Sequence, residues 1–351
     1  MDVYLLHNPE YYLQDAEHRG MNDAAHRGKV TEKQHQEFYR RIREAFRFLE
    51  GKVAAGEIRW YGISSNNFGM PASGPTMTSV ERCWEAAEAV SPQHHFRVVQ
   101  LPLNLYESGG ALERNNNGKT ALEFCREKGI GVLANRPLNA FFANRMVRLA
   151  DFVQRGEKPP GRDELRARLE PLRKLETELR EQLDVPLLYA TQGGMAEYLE
   201  HMLPQITSPA HWEQVYYRHV IQPVERWATE CQQLYGDQSV WQEWWRRFLE
   251  MAPVVLEEAA RHVAAAQQDT SDAVQVQLKL AGYPNHRASL SQMALNALLR
   301  LEGLSCALVG MRRPEYVADS LGALDLEPVD SVSILTQFRL LNSAEQPQTL
   351  H

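Results

Sequence analysis

Five short apolar segments that each run into polar residues constrain the fold of this chain more than any other feature. They span residues 2–7, 58–67, 98–102, 130–134 and 306–309. Runs of this length and composition are typical of buried strands in a parallel sheet. In folds that alternate strands and helices, the carboxyl ends of the strands face the functional site. His7, which ends the first segment, is therefore a candidate site residue.

Helices are predicted between these segments, because Ser or Thr recurs three residues before Glu or Gln at the start of amphipathic stretches. The pairs are Thr31 with Gln34, Thr78 with Glu81, Thr120 with Glu123, and Ser289 with Gln292. The stretch from the first strand to Val30 is polar and rich in histidine, and it is predicted as a loop. This alternation predicts a parallel sheet, either doubly wound or a barrel. The lack of Gly-x-Gly-x-x-Gly after a strand counts against the Rossmann version.

The pattern changes between residues 141 and 285. Helices are predicted over 164–183, 211–235 and 239–267, and five of the seven tryptophans lie in this part. Tryptophans at helical spacing are more typical of a helical core than of a ligand cage. We interpret the segment as a helical insertion or subdomain placed after the fourth strand.

Composition narrows the class of protein. The net charge is −7, and no basic tract suggests nucleic acid. The four cysteines are far apart and show no metal-ligand spacing, which is typical of thiols kept reduced in a cytosol. The opening apolar run is too short for a signal or membrane segment. We expect a cytoplasmic protein with no metal site and no membrane or nucleic-acid partner.

Five stretches together resemble aldo-keto reductases, and they occur in that family's order. They read DVYLLH at 2–7, GEIRWYGISSN at 56–66, VVQ at 98–100, GIGVLANRPL at 129–138 and LVGMRRPEYV at 308–317. The resemblance implies a (β/α)₈ TIM barrel that binds NADPH at its carboxyl face and reduces small-molecule carbonyls. These stretches would be barrel strands four to eight.

The expected fold is therefore an incomplete TIM barrel with a large helical insertion. Residues 1–140 would hold strands four to seven, 141–285 the insertion, 286–325 the closing βα unit and 326–351 a tail. Because five strands cannot close a barrel, segments 2–7 and 306–309 would remain as sheet edges open to pairing. Either the chain is a truncated part of a longer protein, which we favour, or another polypeptide completes the barrel.

His7 matches the family histidine that orients the substrate carbonyl. The family's catalytic tyrosine, lysine and aspartate lie on the first three strands, which this chain lacks. Tyr11 and Tyr12 follow His7 but do not occupy the place of the family tyrosine. We therefore expect a chain that is inactive alone. A non-catalytic protein that uses the same fold to bind a partner or nucleotide is the alternative.

On the nicotinamide side, the resemblance assigns seven cofactor residues: Ser64, Ser65, Asn66, Gln100, Asn135, Pro137 and Leu138. Ser64, with Ser65 or Asn66, and Gln100 would hold the carboxamide, which needs both donors and acceptors. Asn135 stands where many members have an aromatic residue that stacks on the nicotinamide ring. Residues 64–67 could instead make a turn or cap a helix.

On the adenine side, the resemblance assigns residues of the last βα unit. Gly310 would allow close backbone approach, and Arg312 or Arg313 could pair with a 2′-phosphate and favour NADPH over NADH. Asp319 and Ser320 replace the family's usual Glu-Asn pair near the adenine. Two adjacent arginines are otherwise typical of a solvated surface.

Overall fold

A parallel strand forms at each of the five predicted segments. The computed structural model describes residues 1–21, 30–143, 145–153, 158–185, 193–206, 208–284 and 287–343. The strands of the sheet are β1 (Val3–His7), β2 (Trp60–Ser64), β3 (Phe96–Pro102), β4 (Gly131–Asn135) and β7 (Cys306–Ala307). They pair in the order β1-β2-β3-β4-β7, and every pairing is parallel. Within the described residues this sheet does not close into a barrel, and β1 and β7 are its edges.

An antiparallel hairpin follows β4, which the sequence reading missed. Its strands are β5 (Asn139–Phe142) and β6 (Arg145–Arg148). Ala140 and Val147 face each other across the hairpin, and both are buried in the main core. The predicted strand at 306–309 is also shorter than expected, since only two residues pair with β4.

Helices connect the strands as the alternation predicted. Those of the first unit are α1 (Tyr11–Met21), α2 (Glu32–Ala54), α3 (Val80–Glu88), α4 (Gly109–Leu112), α5 (Ala121–Lys128), α11 (Leu290–Leu299), α12 (Pro314–Gly322) and α13 (Ser331–Ser343). The capping boxes of α2, α5 and α11 are present as predicted. The box predicted at Thr78 is wrong, because Ser79 caps α3 and accepts from the backbone N–H of Arg82.

The predicted loop before Val30 is also wrong over residues 11–21, which form α1. Leu13 and Ala16, one helical turn apart, are buried. Asp15 and Arg19 form an ion pair of 2.8 Å on the exposed side. The charged side chains that made this stretch look irregular thus cover the outer face of an amphipathic helix.

The two faces of the sheet differ in how they are covered. Ile63, Val99 and Val132 lie in one row and are buried in the main core beneath the helices. The residues that follow them point to the opposite face, because side chains alternate along a strand. On that face Gln100 and Leu133 are only half-buried. The helices therefore pack on one face, and His7, Ser64 and Gln100 lie on the other.

The described residues divide into two compact units, residues 1–150 with 274–351 and residues 151–273. The second unit consists of α6 (Arg162–Gln182), α7 (Met195–Met202), the 3₁₀ turn Leu203–Gln205, α8 (Pro209–Val215), a π-helical turn (Tyr216–Ile221), α9 (Gln222–Tyr235) and most of α10 (Ser239–Leu280). Its core contains Trp227, Trp241 and Trp244, whose ring centroids lie 5.6–5.7 Å apart.

The stretch predicted over 211–235 is helical throughout, but it divides into α8, the π-helical turn and α9. Pro223 is the second residue of α9, and it has no N–H to continue the α-helical ladder. The preceding N–H, that of Gln222, donates to the carbonyl of Tyr217, five residues back. This spacing is the π-helical pattern, so the proline is the physical reason for the irregular turn.

No helix among the residues that the structure describes is long and apolar enough to cross a membrane.

Candidate functional site

Three predicted site residues form one row at the carboxyl end of the sheet. His7 pairs with Ser64, and Ser64 pairs with Gln100, on successive parallel strands. Residues in register point to the same face of a sheet, and neighbouring strands lie about 4.8 Å apart. His7 is exposed, Gln100 is half-buried, and Ser64 is buried between them. The fold therefore brings these side chains together on the face opposite the helices.

A tight turn fixes the end of β1. Asn8 has a left-handed backbone with φ 51°, and its N–H donates to the carbonyl of Ser64 at 2.8 Å. Asparagine tolerates this conformation better than most residues with a side chain. The side-chain amide of Asn8 donates to the hydroxyl of Tyr11 at 3.0 Å. His7 is thus held at the edge of the sheet by the turn that follows it.

The three polar residues after Ser64 have different surroundings. Ser65 is fully buried, and its backbone N–H donates to the carbonyl of Gln100 at 3.0 Å. Its hydroxyl donates to that of Thr78 and accepts from the N–H of Asn67. Asn67 donates to the carbonyl of Thr76. Both side chains therefore hold the loop, whereas Asn66 is half-buried.

A buried carboxylate that the sequence reading missed joins the ends of β1 and β2. Glu10 is 0 % exposed, and its Oε1 accepts from the backbone N–H of Asn66 at 2.9 Å and from Nδ2 of Asn66 at 3.1 Å. Nδ2 of Asn66 also lies 3.4 Å from Oδ1 of Asn8. Oε2 of Glu10 is buried and has no hydrogen-bond partner among the described residues. A glutamate directly after the His-Asn-Pro strand end was the available signal.

A second carboxylate joins the ends of β3 and β4. Glu107 accepts from Nδ2 of Asn104 at 2.8 Å, from a guanidinium N–H of Arg136 at 2.5 Å and from the backbone N–H of Phe141 at 2.9 Å. Arg136 has a left-handed backbone with φ 52°. Asn135, immediately before it, pairs with Pro102 of β3. No spacing in the sequence marked Glu107, which lies in the loop after β3.

The predicted adenine-side residues lie after β7. Gly310, Arg312 and Arg313 are exposed, and Arg313 is the residue before the first turn of α12. A Cβ atom added to Gly310 would meet nothing within 4 Å, so the protein's own packing does not require glycine there. Arg313 lies over the ring of Tyr316 at 5.9 Å.

Asp319 forms hydrogen bonds within the fold. Its carboxylate accepts from the hydroxyl of Ser289 at 2.6 Å and from that of Ser291, so it ties α12 to the start of α11. Ser320 is 9 % exposed. The structure therefore places Asp319 against the start of α11, and Pro137 and Leu138 are buried like Ser320.

Two buried polar atoms at the carboxyl end of the sheet lack hydrogen-bond partners, and their chemistry shows which kind of ligand would fit there. Oδ1 of Asn135 and Nε of Arg136 are buried and have no hydrogen-bond partner among the described residues. An acceptor and a donor in adjacent residues suit a ligand that carries both. The carboxyl ends of β1 to β7 span roughly 19 Å, four strand spacings of about 4.8 Å. No group of three or more His, Cys, Asp or Glu residues in the described part of the chain is placed to hold a metal ion.

Comparison with known proteins identifies the family of this chain. A search of curated proteins found no match. Among solved structures, a thermostable aldo-keto reductase in complex with the inhibitor epalrestat matches at 13 % identity with a TM-score of 0.32. The match covers 86 % of this chain and 54 % of the other, so this chain spans about half the length of that protein. The family model described as aldo/keto reductase matches residues 1–213, which include the first four of the five family-like stretches. The chain belongs to the aldo/keto reductase family.

Proposed function

We propose that the chain forms the cofactor half of an NADPH-dependent carbonyl or sugar oxidoreductase. The observation that carries the proposal is the row of His7, Ser64 and Gln100 at the carboxyl end of a parallel sheet. Amide and hydroxyl groups at this place suit a carboxamide, which offers one acceptor and two hydrogen-bond donors. Bound NADPH would supply a hydride to the substrate carbonyl. His7 would hold the carbonyl oxygen by a hydrogen bond, which favours charge that develops there.

We also propose that the sheet is part of a (β/α)₈ barrel. In such a barrel the helices lie outside and the inward face is covered only when the barrel closes. Here the helices bury one face, and Leu133 and Gln100 on the other are half-buried. The backbone of β1 is paired on one side only within the described sheet. Further strands at this edge, from a longer form of the protein or from another polypeptide, would complete the fold.

The adenine half of the cofactor is assigned to the loop between β7 and α12. Arg312 and Arg313 are exposed and lie beside the start of a nine-residue helix, whose N-terminus favours anions. The assignment predicts a preference for NADPH over NADH. Charge-assisted hydrogen bonds to a 2′-phosphate contribute about 1.5–3 kcal/mol each.

The test is calorimetric titration of NADPH and NADH into the parent chain and the double variant Arg312→Ala with Arg313→Ala. We expect the double variant to bind NADPH at least tenfold more weakly, with little change for NADH. Arg246→Ala with Arg247→Ala removes another adjacent arginine pair, in the second unit, and serves as the control. Equal losses for the two nucleotides would contradict the assigned role of the arginines. No nucleotide binding by the parent would contradict the proposed function.

We propose that the chain alone does not reduce a carbonyl at an enzyme-like rate. Positioned general acids contribute about 10²–10⁴-fold, and the family's tyrosine donor has no counterpart in the matching stretches. Tyr11 begins α1, and its hydroxyl accepts from the side chain of Asn8. Steady NADPH oxidation by the purified chain with simple aldehydes or aldoses would contradict this part of the proposal.

A further inference from the structure

The buried side chain of Glu10 accounts for the orientation of Asn66. An asparagine amide can be turned by half a rotation, which exchanges its donor and acceptor ends. Oε1 of Glu10 acts as an acceptor here, so the end of the Asn66 amide that faces it is the NH₂ group, which donates. The backbone N–H of Asn66 donates to the same oxygen. Glu10 therefore fixes both the position of Asn66 and the direction of its side-chain dipole.

The rest of the network supports the same orientation. The second hydrogen of Nδ2 of Asn66 points to Oδ1 of Asn8, and Nδ2 of Asn8 in turn donates to the hydroxyl of Tyr11. Both hydrogens of the Asn66 amide are thus used within the protein. Only Oδ1 of Asn66 remains, and no described residue donates to it. Since Asn66 is half-buried, this oxygen is the group it can offer to a ligand.

We infer that Glu10 is a positioning residue that makes Asn66 a hydrogen-bond acceptor for the carboxamide NH₂ of a nicotinamide nucleotide. This inference rests on the proposed function. Glu10 does not contact the ligand, because the residue is 0 % exposed. Its effect passes through Asn66, which follows the strand-end residue Ser64 by two positions. A nucleotide whose carboxamide NH₂ is replaced by a methyl group gives up this one hydrogen bond.

The experiment compares three probes on the full chain by calorimetry: NADP⁺, its 3-acetylpyridine analogue, and 2′-phospho-ADP-ribose. The analogue keeps the carbonyl and lacks the NH₂, whereas the third probe lacks the nicotinamide entirely. We expect the parent to bind the analogue about 3–10-fold more weakly than NADP⁺, the effect of one hydrogen bond. In Asn66→Ala and Glu10→Ala this preference should disappear, with binding of 2′-phospho-ADP-ribose unchanged.

Two further variants separate positioning from folding. Glu10→Gln keeps an oxygen that can accept from Asn66 and should retain most of the preference. Glu50→Ala removes another hydrogen-bonded carboxylate, which accepts from Tyr61 and His95 next to the amino ends of β2 and β3, and should leave the preference unchanged. If Glu10→Ala does not fold, Glu10→Asp, which withdraws the carboxylate by one methylene group, replaces it in the test.

The outcomes distinguish the inference from the proposed function. A Glu10→Ala chain, or the Glu10→Asp replacement, that keeps the parental preference for NADP⁺ over the analogue would overturn the role of Glu10. Equal weakening of all three probes would also overturn it, because a merely structural residue acts in that way. A parent chain that binds neither NADP⁺ nor 2′-phospho-ADP-ribose would overturn the proposed function and this inference with it.

Discussion

Glu176 in the second unit should make the stability of the protein fall as pH rises. Its carboxylate accepts from the backbone N–H groups of Met195 at 2.6 Å and Ala196 at 3.2 Å, so it caps the start of α7. Burial raises the pKa of Glu176 from its ordinary value of 4.5 to about 7, against the opposing effect of these hydrogen bonds and of nearby arginines. Only 8 % of the residue is exposed. The folded unit therefore holds this proton more tightly than the unfolded chain.

The raised pKa makes the stability depend on pH. A carboxyl with a raised folded pKa contributes stability below its unfolded pKa and loses it as pH rises through the folded value. With pKa values of 4.5 unfolded and about 7 folded, ionisation of Glu176 lowers the free energy of unfolding by about 2–3 kcal/mol between pH 5 and pH 8. A neutral glutamine at this position does not titrate. As pH rises over this range, the free energy of unfolding of Glu176→Gln should therefore gain about 2–3 kcal/mol relative to that of the parent.

Urea unfolding followed by tryptophan fluorescence is the assay. The signal reports mainly on the second unit, whose core contains Trp227, Trp241 and Trp244. The difference in the free energy of unfolding between variant and parent at each pH does not include the contribution of histidine titration, because both chains share it. The control is Glu178→Gln, which removes a partly exposed carboxylate of the same helix that pairs with Arg247. Parallel pH curves for Glu176→Gln and the parent would refute the reasoning and mean that the two hydrogen bonds keep Glu176 ionised.

Two further predictions concern the first unit. In Gly62→Ala the added Cβ atom would lie 1.9 Å from the carbonyl oxygen of Val98. We therefore expect urea unfolding to show a free energy of unfolding lower by about 2–3 kcal/mol, or a chain that does not fold. A variant as stable as the parent would contradict the close approach of β2 and β3. Burial acts to raise the pKa of Glu50, but hydrogen bonds from His95 and Tyr61 outweigh it and hold the pKa below its ordinary value. The stability that ionised Glu50 contributes is present above the unfolded pKa and is lost as pH falls through the folded pKa. The variant Glu50→Gln should therefore lose less stability than the parent between pH 5 and pH 3. An equal fall in the free energy of unfolding for variant and parent would contradict this.

Local signals made much of the sheet and its helices predictable. Short apolar runs located all five parallel strands, and the three confirmed capping boxes located helix starts, because both depend on residues close together in sequence. Helix α1 was predicted as a loop, because its exposed polar side chains outnumber buried residues such as Leu13. The π-helical turn before Pro223 was not predicted, because the effect of this proline appears only once the helix around it has formed.

The candidate site was predictable only in part, for a physical reason. His7 could be named because it ends a strand, and Ser64 and Gln100 could be named from the family resemblance; the parallel register then brings the three together. Glu10 could not be linked to Asn66, because the two residues are 56 positions apart and only the register of β1 on β2 brings them together. Glu107 could not be linked to Arg136 for the same reason, since the two residues are 29 positions apart in the sequence.

Under the proposed function, these contacts would serve cofactor binding rather than the chemical step. Glu10 ties the ends of β1 and β2, the N–H of Ser65 donates to the carbonyl of Gln100 between β2 and β3, and Glu107 joins the loop after β3 to that after β4. The carboxyl end of the sheet is thus held across four strands by bonds that do not require a closed barrel. Under the proposed function, the general acid would come from strands added beyond β1. We therefore expect strands added at β1 to raise turnover by about 10²–10⁴-fold and to change nucleotide affinity far less.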